Sequence, residues 1–324
     1  MVARTARKPS KFHPYIGKDV GWLLDMQARE RGDRVFLIWQ PPEDDAVRWT
    51  YGEFAERVDA VARSLIARGV RKSDPLLIHL DNCPEFLFAW FACAKIGAIA
   101  VTTNTRSSAD ELSYFIEHAR ARFAVTQQSL LPLVEACGRT LGWIACIGLD
   151  KAGSSAFPFE DLYAPETGVL LPCHDPLTPV SVQYTSGTTS RPKGVVWTHA
   201  NALWAAQINA RHCELGEADV GIIVLPLFHT NALGYSVLGT LWAGGSVVLT
   251  PKFSRRRFWD ISTRHGCTWA SLFPFVATAL QDVETPEHCF RFWAIGLADV
   301  PAFAEKFRLK IAGWWGMTET VSHP

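Results

Sequence analysis

Eleven consecutive residues, Tyr184-Thr-Ser-Gly-Thr-Thr-Ser-Arg-Pro-Lys-Gly194, combine five small hydroxyl side chains, a central glycine and one lysine. These materials suit an anion. Thr185, Ser186, Thr188, Thr189 and Ser190 supply hydroxyl donors. Gly187 lets the backbone turn its N–H groups to one side, and Lys193 adds a mobile positive charge. Hydrogen bonds assisted by such a charge contribute roughly 1.5–3 kcal/mol each. The stretch is not a Walker phosphate loop, which needs a second glycine just before the lysine and Ser or Thr just after it. Pro192 precedes Lys193 and has no N–H for a phosphate, while Gly194 follows it and has no hydroxyl for magnesium. On composition alone, a Ser/Thr-rich surface loop is an equal reading.

Other reactive residue types carry less. His229, in "LPLFHTNA" (225–232), follows a strand end, where a histidine is ordinarily structural. "GYSVLG" (234–239) has one residue too many between Ser236 and Gly239 for a hydrolase nucleophile elbow and reads as a packed helix. "SRRRFW" (254–259) sets basic residues beside aromatics, but it opens a helix and reads as a solvated first turn rather than a nucleic-acid or coenzyme patch. Trp197, Trp204, Trp242 and Trp269 could offer faces to a quaternary ammonium group, although most tryptophans belong to a core. The eight cysteines include no Cys-x-x-Cys pair, which points to reduced thiols in a cytoplasmic protein.

The elements that must position these residues alternate regularly. Thr50-Tyr-Gly-Glu53 is a capping box, and Phe54, Val58, Val61 and Leu65 follow at helical spacing until Gly69. The strand 76–80 comes next, and Asn82 with Pro84 opens another helix. Strands are expected near 98–102, 122–126, 142–148, 220–226, 246–250 and 268–272. Helices are expected at 108–119, 129–137, 199–213, 231–243 and 255–265. Repeated strand–helix units imply an α/β fold of mostly parallel sheets layered with helices. The Pro-, Gly- and Ser-rich loop at 150–178 divides the chain into candidate lobes 1–150 and 176–324. Lys plus Arg equals Asp plus Glu at 32 each, so no global field draws the protein to nucleic acid. The longest apolar run, 86–101, is interrupted by Lys95 and is too short to span a membrane. Arg4, Arg7, Lys8 and Lys11 precede any acid, and they read as a frayed, solvated start rather than a transit peptide.

The literal residues decide the reading of the first stretch. "YTSGTTSRPKGVVWTHAN" resembles the signature loop of the adenylate-forming, or AMP-binding, superfamily, and every position from Val182 to Lys193 fits it. "LPLFHTNA" resembles that family's Pro-x-Phe-His block, "GLAD" (296–299) its adenine loop, and "WWGMTET" (314–320) its Tyr-Gly-x-Thr-Glu block. "WTYGEFAERV" and "LDNCPEFLFAWFACAKIGAI" extend the resemblance over nearly the whole chain, in the acyl-CoA synthetase branch and most like crotonobetaine/carnitine–CoA ligases.

The resemblance implies that residues 1–324 form the large amino-terminal domain of an ATP-dependent acyl-CoA ligase. Such an enzyme converts an acid, ATP and coenzyme A into acyl-CoA, AMP and diphosphate through an acyl-adenylate. It implies that Thr185, Ser186, Gly187, Thr188, Thr189 and Lys193 hold phosphates, and that Gly296, Leu297 and Ala298 admit the adenine ring. Trp315 replaces a tyrosine that stacks on adenine, and Gly316 adjoins it. Thr318 would bond the α-phosphate, Glu319 would bind magnesium, and His229 would stand between the acyl pocket and the α-phosphate. Lys193, His229, Thr318 and Glu319 are thus the expected catalytic set. No Asp stands in "LFHTNALG" to pair an amino-acid ammonium, which disfavours peptide-synthetase chemistry. The expected partners are a small carboxylic acid, ATP, Mg2+ and coenzyme A, with homodimerisation left open. The family normally continues with a ribose-binding Asp, a hinge and a small mobile domain, none of which follows Thr320 here. The resemblance therefore implies a fragment or a truncated ligase. A carrier-protein-loading enzyme and a non-catalytic nucleotide-binding remnant are the alternatives.

Overall fold

The structure is a computed structural model describing residues 13–150, 155–164, 170, 175–185, 191–296, 300–313 and 315–321. The frayed start expected before residue 13 lies outside the described residues. So do Ser186, Gly187, Thr188, Thr189, Leu297 and Ala298 of the expected site.

The strand–helix alternation builds two seven-stranded sheets. One runs, edge to edge, Phe157–Pro158, Trp143–Ile147, Phe123–Gln127, Pro75–His79, Ile99–Thr102, Pro179–Thr185 and Lys193–Thr198. The other runs Lys310–Ala312, Phe292–Ala294, Trp269–Ser271, Val220–Ile223, Ser246–Leu249, Val35–Trp39 and Val47–Thr50. Every pairing is parallel except the last of each sheet, where Lys193–Thr198 and Val47–Thr50 return antiparallel. Leu76, Leu77, Ile78, Val247, Val248 and Leu249 are all buried. Such consecutive burial marks parallel strands covered on both faces.

The chain divides into two compact units. The first comprises Met1–Met26, Glu53–Asp81 and Glu85–Leu203; the second comprises Gln27–Gly52, Asn82–Pro84 and Trp204–Pro324. The expected lobes, 1–150 and 176–324, cut the chain differently. Strand pairing is the reason: Val35–Trp39 joins Ser246–Leu249, and Pro179–Thr185 joins Ile99–Thr102, each across a long stretch of sequence.

In the first unit, the helix Ala109–Ala119 starts at a capping box. The Ser108 hydroxyl accepts from the Glu111 N–H (3.2 Å), and the Glu111 carboxylate accepts from the Ser108 N–H (2.9 Å). Its buried Leu112, Phe115 and Ile116 share a core with Leu77, Val101, Val134 and Ile144. Lys95, the charge inside the apolar run, is buried and pairs with Asp25 (2.5 Å) and Asp59. No described helix is long and apolar enough to cross a membrane.

In the second unit, Phe258, Trp259, Phe290, Trp293 and Phe307 pack ring against ring. Trp269 is buried here, and Trp197 is buried in the first unit, so both are core rather than ligand faces. The helix expected at 231–243 is instead π-helical over Asn231–Leu238 and α-helical only over Gly239–Ala243. The Ser236 hydroxyl donates to the carbonyl of Asn231, five residues back (3.2 Å), across the wider turn. Gly244, at φ 77°, closes it.

Burial pushes His79 and His199 down to about 4, against opposing acidic neighbours. Both titrate near 6.5 when unfolded, so the unfolded chain takes up protons that the fold refuses. Stability should therefore be full above about pH 6.5 and fall toward pH 4, by roughly 2 kcal/mol per histidine at about pH 5. Urea midpoints at about pH 7.5 and about pH 5 check this. His79→Gln should shrink the difference; an unchanged difference would count against burial of a neutral ring.

Candidate functional site

The expected site residues fall in two places, which are described in turn. In the first unit, Thr185 and Lys193 are the last pair of the antiparallel ladder, so residues 186–192 form the connection of a β-hairpin. Lys193 is exposed and Thr185 half-buried. The helix Ala109–Ala119 props both arms. The Tyr184 hydroxyl donates to the Phe115 carbonyl (3.3 Å) and meets His118 Nδ1 (3.0 Å). On the other arm, the Tyr114 hydroxyl donates to the Pro192 carbonyl (3.1 Å), and the Arg191 guanidinium lies over the Tyr114 ring. Gly194 faces this cluster, and a Cβ there would press on Val182 and Tyr184 at 3.1 and 3.4 Å. A hydroxyl-rich connection is thus carried on fixed arms with a lysine at its base. Pattern reading missed Tyr114 and His118, whose only trace is their helical spacing on one face (i, i+4).

In the second unit, the strand Val220–Ile223 ends earlier than expected because a side chain takes over from the ladder. The buried Asn82 amide donates to the carbonyls of Leu225 (2.9 Å) and Thr250 (3.1 Å) and accepts from the Leu227 N–H (2.7 Å). The chain then turns at Pro226–His229 into the π-helical segment. His229, Thr230, Asn231, Tyr235, Leu272, Phe273, Pro274, Gly296 and the stretch Trp315–Thr318 line one cavity of about 350 Å³. No described side chain of this lining carries a fixed charge. His229 is accessible along the cavity, yet the surrounding walls desolvate the ring and lower its pKa, favouring neutral imidazole.

Tyr235 ties the wall together. It is buried, and its hydroxyl hydrogen-bonds the Thr320 side chain. Burial pushes that hydroxyl up to about 12, so it remains protonated. Gly316 must be glycine here, since an added Cβ would run into the Tyr235 hydroxyl and stand 3.0 Å from its ring. Downstream, the Thr320 hydroxyl and N–H both bond Met317 and close a tight turn over 317–320.

The cavity thus brings together His229, Gly296, Trp315, Gly316 and Thr318. Glu319 is exposed on the same turn and lies outside the lining. Asn231, Tyr235 and Phe273 also line the cavity; none was singled out from the sequence, though they lie in the 231–243 and 268–275 segments toward which the tail of an acid near His229 was expected to point. A larger cavity of about 650 Å³, lined by Arg255, Arg256, Trp259, Asp260 and Glu284 among others, contains none of the expected residues. Arg255 and Arg256 are exposed there, in keeping with a solvated turn.

A family model described as "AMP-binding enzyme" matches residues 24–323. A crotonobetaine/carnitine–CoA ligase from Salmonella arizonae (strain ATCC BAA-731 / CDC346-86 / RSK2980) is 33% identical over 322 residues, covering 94% of this chain and 62% of the relative. The chain spans that same 62% of the other curated relatives of this name. The inhibitor-bound N-terminal domain of FACL13 from Mycobacterium tuberculosis shares the fold, with a TM-score of 0.81 at 24% identity, covering 94% of this chain and 77% of that one. An O-succinylbenzoate coenzyme A synthetase from Bacillus subtilis, in complex with AMP, is 26% identical with a TM-score of 0.76, covering 93% and 74%.

The Tyr235–Gly316 contact has a direct test. Gly316→Ala should destabilise the protein by about 1–3 kcal/mol, as an overpacked contact does. In a Tyr235→Phe background, which removes the obstructing hydroxyl, the same substitution should cost clearly less. Urea denaturation of the four proteins gives the coupling; strictly additive effects would show that the two residues do not meet.

Proposed function

Because the chain belongs to the AMP-binding enzyme family, we propose that it is the nucleotide- and acid-binding part of an acid–thiol ligase that forms an acyl-CoA through an acyl-adenylate. A carboxylate oxygen attacks the α-phosphorus of ATP and diphosphate leaves; the coenzyme A sulfur then attacks the acyl carbon and AMP leaves. The observation that carries this reading is the meeting of His229, Gly296, Trp315, Gly316 and Thr318, from three separate stretches of sequence, on one cavity whose described lining carries no fixed charge. Coenzyme A as the acceptor is supported by the names of the crotonobetaine/carnitine–CoA ligases and of the O-succinylbenzoate enzyme.

The first step asks for positioning and charge neutralisation more than covalent help. Lys193, exposed at the hairpin base, is suited to the outer phosphates, and the family resemblance gives the same role to the hydroxyls of Thr185, Ser186, Thr188 and Thr189. Trp315 is 58% exposed and offers a flat face to adenine, while Gly296 lets a ring approach the backbone. Thr318 supplies a hydroxyl for the α-phosphate. A neutral His229 orients a carboxylate by hydrogen bonding without the ion pair that would blunt it as a nucleophile. Magnesium takes carboxylate and phosphate oxygens, so the exposed Glu319 fits it, and the ion would neutralise phosphate charge.

Calorimetric titration with magnesium–ATP and with AMP tests the hairpin assignment. Lys193→Ala and Thr188→Ala should each weaken ATP binding by roughly tenfold or more, the worth of one charge-assisted bond, with much less effect on AMP. Unchanged ATP affinity in both variants would sink it. His229→Ala should spare ATP affinity and weaken a non-hydrolysable acyl-sulfamoyladenosine; collapse of ATP binding instead would make His229 a nucleotide ligand or a structural residue.

A further inference from the structure

Asn231 has no place in the chemistry just described. It opens the π-helical segment, is 5% exposed and lines the cavity. Its Oδ1 is buried without a hydrogen bond. Its backbone carbonyl is already taken by Ser236. The comparison with Asn82 is instructive: that buried amide engages three backbone groups. A buried acceptor left open is destabilising, and an aliphatic residue would line an acyl pocket without that cost. The neighbouring Tyr235 hydroxyl is already committed to Thr320.

The rest of the described lining narrows what could pair with Asn231. Leu272, Phe273, Pro274 and Met317 are apolar, and none of the described lining side chains is acidic. A cationic tail would find no counter-charge among them, and an anionic tail no cation. A volume of about 350 Å³ lies at the small end of ligand pockets.

We propose that Asn231 selects the acid, its side-chain amide hydrogen-bonding an uncharged polar substituent, a hydroxyl or carboxamide, on the tail of a small carboxylic acid. The proposal rests on the reading of this cavity as the acid site. An asparagine amide carries both donors and an acceptor, and a half-turn of the group exchanges them, so a hydroxyl pairs with either end. The discrimination is steep in one direction, because a substrate lacking the group leaves the amide unpaired inside a filled pocket.

Matched acyl-sulfamoyladenosines provide the test: 3-hydroxybutyryl against butyryl, 4-hydroxybenzoyl against benzoyl, and 4-aminobutyryl as the ammonium-bearing control. In at least one pair the wild type should bind the hydroxylated member roughly 100-fold more tightly. Asn231→Leu should abolish or reverse that preference while AMP affinity stays within about twofold; Asn231→Ala serves where leucine does not fit. No hydroxyl preference in either pair, a preference that survives both substitutions, or tightest binding of the aminobutyryl compound would each overturn the proposal while AMP binding persisted. Failure of the wild type to bind AMP and every acyl-sulfamoyladenosine would instead overturn the functional reading beneath it.

Discussion

The second unit depends on how Asn82 spends its amide. One side chain satisfies the Leu225 and Thr250 carbonyls and the Leu227 N–H, at the point where the parallel ladder of Val220–Ile223 runs out. Buried backbone groups must be paired, and a strand end normally leaves them to water. The Asn82 clamp lets the chain leave the sheet while still buried, so that Pro226–His229 turns at a defined place. Everything downstream follows that exit: the orientation of His229, the start of the π-helical segment, and the wall formed by Asn231 and Tyr235.

A second constraint acts across the cavity. The Tyr235 hydroxyl stands where a Cβ at 316 would be, and it also holds Thr320. The stretch 315–320 therefore has little freedom to withdraw from the π-helical wall, although Trp315 and Met317 are 58% and 44% exposed. If Trp315 stacks on adenine as proposed, a backbone tied from behind holds the indole in place beforehand, which lowers the ordering cost of binding. The wall carries no fixed charge throughout its described part, and desolvation by the surrounding walls lowers the His229 pKa toward the neutral ring. Neutral polar groups on an apolar surface discriminate by hydrogen-bond geometry rather than by long-range attraction.

The first unit meets a different demand, since the phosphate-binding role proposed for its hairpin asks for donors rather than an enclosing pocket. Its answer is to fix the two arms and leave the tip chemically rich. Tyr184 reaches from one arm to the helix Ala109–Ala119, Tyr114 reaches from that helix to the other arm, and the buried core of the helix anchors both contacts. Lys95 plays the matching structural role deeper in the unit. Its charge is tolerated because Asp25 and Asp59 both reach it.

Much of this was legible in the sequence. Parallel strands buried on both faces must be apolar runs separated by amphipathic helices, so the alternation from 76 to 148 and from 220 to 272 wrote itself into the residue pattern. The hydroxyl-rich composition of 184–194 was equally open, although by itself it left a surface loop as an equal reading, and this stretch, with the blocks around His229 and Trp315, carried a family resemblance. Pairing was not legible. Val35–Trp39 reads locally as any apolar strand, and nothing within it names Ser246–Leu249 as its neighbour; hydrogen bonds between backbones have no residue code. The two compact units therefore have bounds other than the lobes 1–150 and 176–324 read from the loop at 150–178. The roles of Asn82, Tyr235 and Asn231 were hidden for a related reason. Each is defined by what it meets in space, backbone groups, the place of an absent Cβ or a cavity wall, and only the folded chain brings those partners within reach.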